Sequence, residues 1–127
     1  MKKLTAVNPD AGVALLGICL DSHPRFQDAG NFVPDGGASG FMAIEETIAA
    51  ILHHHRRPLI LGGDHAIIYP ILGAVCAHHG PVNILHFDAH PDLYDELDGN
   101  RLSHASPFAG SWSRGWPRKW SRWGSER

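Results

Sequence analysis

Cysteine is almost missing from this 127-residue chain: only Cys19 and Cys76 occur, far apart and outside any CxxC pair. A paired-thiol motif is therefore excluded, and both thiols read as small buried hydrophobes. No apolar run approaches the length that a bilayer requires. The basic start, Met1-Lys2-Lys3, is separated from the apolar stretch Ala11 to Leu20 by Asn8-Pro9-Asp10. No small-residue cleavage pattern follows, so Val13 to Cys19 reads as a buried strand rather than a leader. The cytoplasm is the expected compartment, with no membrane partner. Acidic residues are also scarce at one end. Residues 110–127 hold five of the eleven Lys/Arg but one of the thirteen Asp/Glu, leaving this segment at +4 and the remainder at −6. An acidic main part argues against a nucleic-acid partner. With 43% hydrophobic and 19% charged residues, the chain reads as one globular domain with a modest core.

The order of patterns is strand, loop, helix, strand, helix, strand. Val13 to Cys19 is a continuous apolar run, as for a strand covered on both faces. Asp21 to Ser39, rich in Gly, Pro, Asp and Asn, reads as loop. Phe41, Ile44, Ile48 and Ile51 lie at spacings of 3, 4 and 3, which predicts an amphipathic helix over Gly40 to His55. Pro58 cannot continue it, and Leu59-Ile60-Leu61 is a short strand. Asp64 or His65 opens a second helix that runs to about His79 and stops at Gly80-Pro81. Val82 to Phe87 is the third strand. Alternation of this kind predicts an α/β fold with right-handed crossovers and a parallel sheet.

Past Phe108 the character changes. Gly110 to Arg127 holds all four Trp, four Arg and four Ser, and lacks Leu, Ile, Val, Ala and Phe. Trp112, Trp116, Trp120 and Trp123 recur at 4, 4 and 3, the spacing of a basic helix facing a membrane or nucleic acid. Gly115, Pro117 and Gly124 oppose such a helix. The composition also matches GC-rich coding sequence translated out of register. Residues 109–127 are accordingly expected to be a frameshifted or disordered tail behind a domain over 1–108.

Two short fragments carry the chemistry. Asp88-Ala89-His90-Pro91-Asp92 follows the third strand and sets three metal-capable side chains at alternate positions where a buried strand enters a loop. The second strand ends in the same way, in Gly62-Gly63-Asp64-His65. Carboxylate with imidazole suits divalent transition ions better than calcium, which prefers oxygen alone. Sites in parallel sheets lie at the carboxyl ends of strands, and both fragments fall there. The other candidates have structural readings. Asp64 is expected to cap the following helix. His53-His54-His55 and His78-His79 sit at helix C-termini, where the dipole favours them. His86 reads as a satisfied core histidine, and Tyr94, Asp95, Glu96 and Asp98 as a solvated loop.

With GGDH at 62–65, FDAHPD at 87–92 and Leu102-Ser103-His104-Ala105-Ser106 downstream, the chain resembles the ureohydrolases, the arginase, agmatinase and formimidoylglutamase family. The resemblance is close from about Phe41 to Phe108 and weaker over Val13 to Asp21. It implies a three-layer parallel sheet of the arginase type, here incomplete, with about three strands and two crossover helices. It also implies two Mn²⁺ ions, with His65 and Asp92 as ligands of the first, His90 of the second and Asp88 between them. The chemistry implied is attack of a metal-activated water on the carbon of a small guanidine or amidine, releasing urea, with His104 as the catalytic proton shuttle. Family members are homo-oligomers.

The chain departs from that pattern in more than one respect, the segment between the first strand and Asp28-Ala29-Gly30 being short compared with the family's usual loop and helix. The family's later Asp-x-Asp pair, which supplies the second bridging carboxylate, and its downstream Glu have no counterpart. After Asp98 the sole acid is Glu126. Two expectations therefore stand together: a manganese-dependent hydrolase of linear guanidines or amidines, and an inactive truncated fragment with weak metal binding.

Overall fold

Ile44, Ile48 and Leu52, each four residues from the next, form the stripe around which the core is built. In the computed structural model, which describes residues 15–20, 26–32, 34 and 37–124, they lie on α1, Ala38–His53. All three are buried, with Phe41 and Ile51 half-buried at the stripe's margin. They pack against Ile67, Ile71 and Ala74, with Ile60 and Val75 at the edge of the cluster. Each such aliphatic side chain contributes about 1.5–3 kcal/mol when fully buried. Ile71 and Ala74 belong to α2, Ile68–His79, entered through a single 3₁₀ turn at His65–Ile67. Pro70 is tolerated because it lies in the first turn of α2, where its missing N–H leaves no bond unmade. Gly80 ends the helix at φ 75°, and its N–H donates to the Cys76 carbonyl at 2.8 Å. That left-handed position favours glycine.

The strands are β1 (Leu15–Leu20), β2 (Phe26–Phe32), β3 (Arg57–Leu61), β4 (Val82–Phe87) and β5 (Pro117–Trp123). The α/β class and the incomplete arginase-type architecture are present, but the pairing corrects the expected single parallel sheet. β1 is central in a three-stranded sheet of order β2-β1-β3 and runs antiparallel to both neighbours. A short connection can join only antiparallel neighbours, whereas parallel strands need a crossover of a dozen residues or more. β1 and β2 meet the first condition. β2 and β3, joined through α1, meet the second and run parallel on either side of β1. β4 is not in this sheet; it pairs in parallel with β5, joined through α3, Pro107–Ser113.

Two further corrections follow. The expected loop from Asp21 to Ser39 contains β2, and the segment over 109–127, expected to be frameshifted or disordered, is not disordered through residue 124: it contains most of α3 and all of β5. The division at 108/109 falls inside α3. Pro107 opens that helix, where a missing N–H costs nothing, and Phe108 and Ser111 are buried. The Cys76 thiol donates to the Trp116 carbonyl at 3.6 Å, tying α2 to the residue before β5. Burial pushes that thiol up. The start Met1 to Lys3, residues 13 and 14 of the first predicted strand, and the burial of Cys19 lie outside the described residues. No helix among the described residues is long and apolar enough to cross a membrane.

Candidate metal centre

β3 and β4 deliver the two fragments to one place. After Leu61 the chain turns through Gly62-Gly63, and Asp64 caps the 3₁₀ turn by accepting the Ala66 N–H at 2.7 Å. The capping expected of Asp64 is thus observed. His65 follows as the first residue of the turn, and its Nε2 lies 3.3 Å from Asp92 Oδ2. The contact lacks hydrogen-bond alignment, and this buried nitrogen has no hydrogen-bond partner among the described residues.

Asp88 is the first residue beyond β4. Its Oδ1 accepts the His90 N–H at 2.9 Å and lies 3.5 Å from His90 Nδ1. Its Oδ2 faces the other way, 3.6 Å from His86 Nε2. The His90 N–H holds the Asp88 carboxyl below the usual carboxylate range, assisted by the charges of His86, His65 and His90 and opposed by partial burial. Asp92 adopts φ 50°, a left-handed conformation that aspartate tolerates better than most residues. It is buried, and its carbonyl accepts the Phe108 N–H at 3.2 Å, which fixes the loop to α3.

His86 is the residue that the sequence reading placed wrongly. It is a core histidine, 6% exposed, but not a satisfied one: neither ring nitrogen has a hydrogen-bond partner among the described residues. Its ring lies 4.6 Å from Phe108, 6.0 Å from Trp120 and 5.6 Å from His65, centroid to centroid. Desolvation lowers its pKa, with Asp88 and Asp92 opposing. The alternation of a strand supplies the missed signal, since residues 86 and 88 share a face.

His65, His86, Asp88 and Asp92 offer ligand atoms that all lie within 4.8 Å of one another. Three of the four predicted ligands are therefore gathered with one that was not predicted. His90 lies outside this group, its side chain 71% exposed, and meets the cluster only through Asp88. His104 is exposed on the loop before α3, between buried Ser103 and Ala105. Ser103 Oγ and Ser106 Oγ, 2.7 Å apart, hold that loop closed beneath it.

Imidazole nitrogens left buried without a partner cost about 1–3 kcal/mol each. A divalent cation shared by two imidazoles and two carboxylates would give His65 Nε2 and His86 Nε2 a partner, so the donor set fits one.

A family model described as the arginase family matches residues 9–121. Arginase 1, mitochondrial, of Arabidopsis thaliana is 49% identical over 78 residues, 60% of this chain and 23% of that protein. The mitochondrial guanidino acid hydrolase of Homo sapiens is 49% identical over 65 residues, covering 51% of this chain and 18% of that one. Among solved structures, arginase from Medicago truncatula superposes with a TM-score of 0.66 at 43% identity, over 69% of this chain and 28% of that chain. The chain thus spans about a quarter of the length of these relatives.

Proposed function

The chain belongs to the arginase family, and from that premise we propose that it carries one wall of a metal centre for hydrolysing small guanidines or amidines. The convergence of His65, Asp88 and Asp92 at two strand ends, with buried imidazole nitrogens lacking any other partner, carries this reading. The ion proposed is Mn²⁺, two per complete site. His65 and Asp92 would hold the first and His90 the second, with Asp88 shared between the two. Such ions, when bound, supply Lewis acidity and make water acidic enough to serve as a nucleophile near neutral pH.

The chain's own residues do the rest. The His90 N–H orients Asp88 and keeps it ionised. Phe108 and Trp120 shield the cluster from bulk water on one side. His104, exposed on its loop, is the proposed carrier of the proton that the leaving amine takes up. The substrate class is a guanidine or amidine, in keeping with relatives named for arginine and for guanidino acids. A homo-oligomer in the cytoplasm is proposed with it.

A second reading rests on a specific observation. Within these 127 residues the sole acid after Asp98 is Glu126, so a second bridging carboxylate is not supplied. The chain by itself is then a weak metal binder without turnover. A manganese-dependent urea-release assay on guanidino and amidino compounds separates the two. Turnover lost in His90→Ala supports the hydrolase, and no urea from a folded, manganese-binding chain supports the binder.

A further inference from the structure

We propose that His53 and His78, with His79 beside them, form a separate surface site for a borderline transition ion such as nickel(II), zinc or copper(II). It lies at the opposite end of the helix pair from the His/Asp cluster and does not depend on the hydrolase reading.

The packing of α1 on α2 brings these residues together. His53 ends α1, and His78 and His79 end α2. The two helices join through Ile44, Ile48, Leu52, Ile71 and Ala74, so their C-terminal ends meet. The rings of His53 and His78 stand edge-on with centroids 5.7 Å apart, and those of His78 and His79 are 4.5 Å apart. Each of these helix ends leads into a strand, α1 into β3 and α2 into β4. The three imidazoles therefore lie at the amino ends of the two strands whose carboxyl ends carry the His/Asp cluster. At 1.5 Å per helical residue, the path from His65 to His78 places roughly 20 Å between the two groups.

The chemistry follows from the donor type. Two imidazoles bound about 2.0–2.1 Å from one ion hold their ring centroids roughly 4.5–5.5 Å apart. The observed spacings bracket that range. All three side chains are exposed, so their rings can turn the nitrogens toward a common point without disturbing the core. The helix dipoles favour a histidine at either end taken singly, but they do not require rings from two helices to meet. Imidazole donors suit zinc, copper and nickel, whereas manganese is better served by carboxylate and other oxygen donors. Two donors fixed on a packed helix pair grip one ion as a chelate, with solvent completing the shell.

Nickel(II) titrated calorimetrically into the purified chain tests this, with His65→Gln and the double variant His53→Gln/His78→Gln alongside. Wild type and His65→Gln should share one class of nickel site. In the double variant the affinity of that class should fall at least about tenfold, the chelate being lost. Nickel affinity and stoichiometry unchanged in the double variant overturn the proposal, as does loss of the class in His65→Gln. Should the double variant fail to fold by circular dichroism, NMR of wild-type histidine rings with two equivalents of copper(II) replaces it. Ring signals of His53 and His78 broadened together support the site; sharp signals from either overturn it.

Discussion

Arg122 Nη1 donates to the carbonyl oxygen of Ala89 at 2.5 Å, and also reaches that of Asp88 at 3.4 Å. A side chain from β5 thus fastens the backbone on which the Asp88 carboxylate is mounted. The Asp88 N–H adds a bond to the Trp123 carbonyl at 3.1 Å. Replacing Arg122 by Met keeps the stem and removes the donor. Loss of charged hydrogen bonds should cost about 1.5–3 kcal/mol in chemical denaturation. Divalent-metal affinity measured by calorimetry should fall several-fold. Affinity unchanged at reduced stability would mean that Asp88 holds its position without the clamp.

Gly124 makes a sharper case. Its φ is 147°, and a β-carbon there would run into the Asp88 carbonyl oxygen. Backbone cannot retreat as a flexible side chain can. Gly124→Ala should therefore destabilise by at least about 1–3 kcal/mol from the conformational term alone, and the clash should push Asp88 out of line. The measurement is the thermal midpoint together with metal titration; an unshifted midpoint would contradict this.

Asp64 should behave as a cap and not as a ligand. Asp64→Ala removes the acceptor for the Ala66 N–H and should cost about 0.5–2 kcal/mol, with Asp64→Ser recovering most of it. Metal stoichiometry should stay as in the wild type. Loss of one bound equivalent in the Ser variant would make Asp64 a ligand instead.

A pH dependence arises far from the His/Asp cluster. His78 ends α2 beside His79 and packs its ring edge-on to His53 of α1, 5.7 Å away. Desolvation and then the charges of His79, His53 and His55 lower its pKa from 6.5. The unfolded chain then binds more protons than the folded one just below that value. Stability should be fully present above about pH 6.5 and decline as the pH falls through the folded value. His78→Gln should flatten the slope of thermal midpoint against pH between 7 and 5.5. A slope as steep as wild type would place the origin in other groups.

Periodicity carried part of this fold plainly. α1, α2 and β4 appear close to where their patterns put them, because aliphatic residues at helical spacing or in a continuous run have few competing structures. β2 was hidden for the opposite reason. Phe-Gln-Asp-Ala-Gly-Asn-Phe has poor strand propensity, and its place at a sheet edge asks little of it. β5 was hidden because Trp, Arg, Lys and Ser behind Pro117 lack any aliphatic signal; its pairing with β4 decides its structure. At the site, residue types at two strand ends marked the fragments, and the resemblance to the ureohydrolases singled out His65, Asp88, His90 and Asp92, of which His90 lies outside the cluster. An isolated histidine in a strand is usually satisfied, so His86 stood out only through the face it shares with Asp88 and, in three dimensions, through its lack of a partner among the described residues.

The alternation along β4 makes the chemistry hostage to register. His86 points inward, 6% exposed, while its neighbours Leu85 and Phe87 are 64% and 70% exposed on the other side. Opposite them, His86 pairs with Arg122 and Phe87 with Trp123. A slip of one residue against β5 would turn a phenyl ring into the His/Asp cluster and swing both His86 and Asp88 outward. It would at the same time move the Arg122 clamp off its carbonyls. Partial slippage has no partly working intermediate, so the pairing of two short strands acts as an all-or-none key for assembling the site.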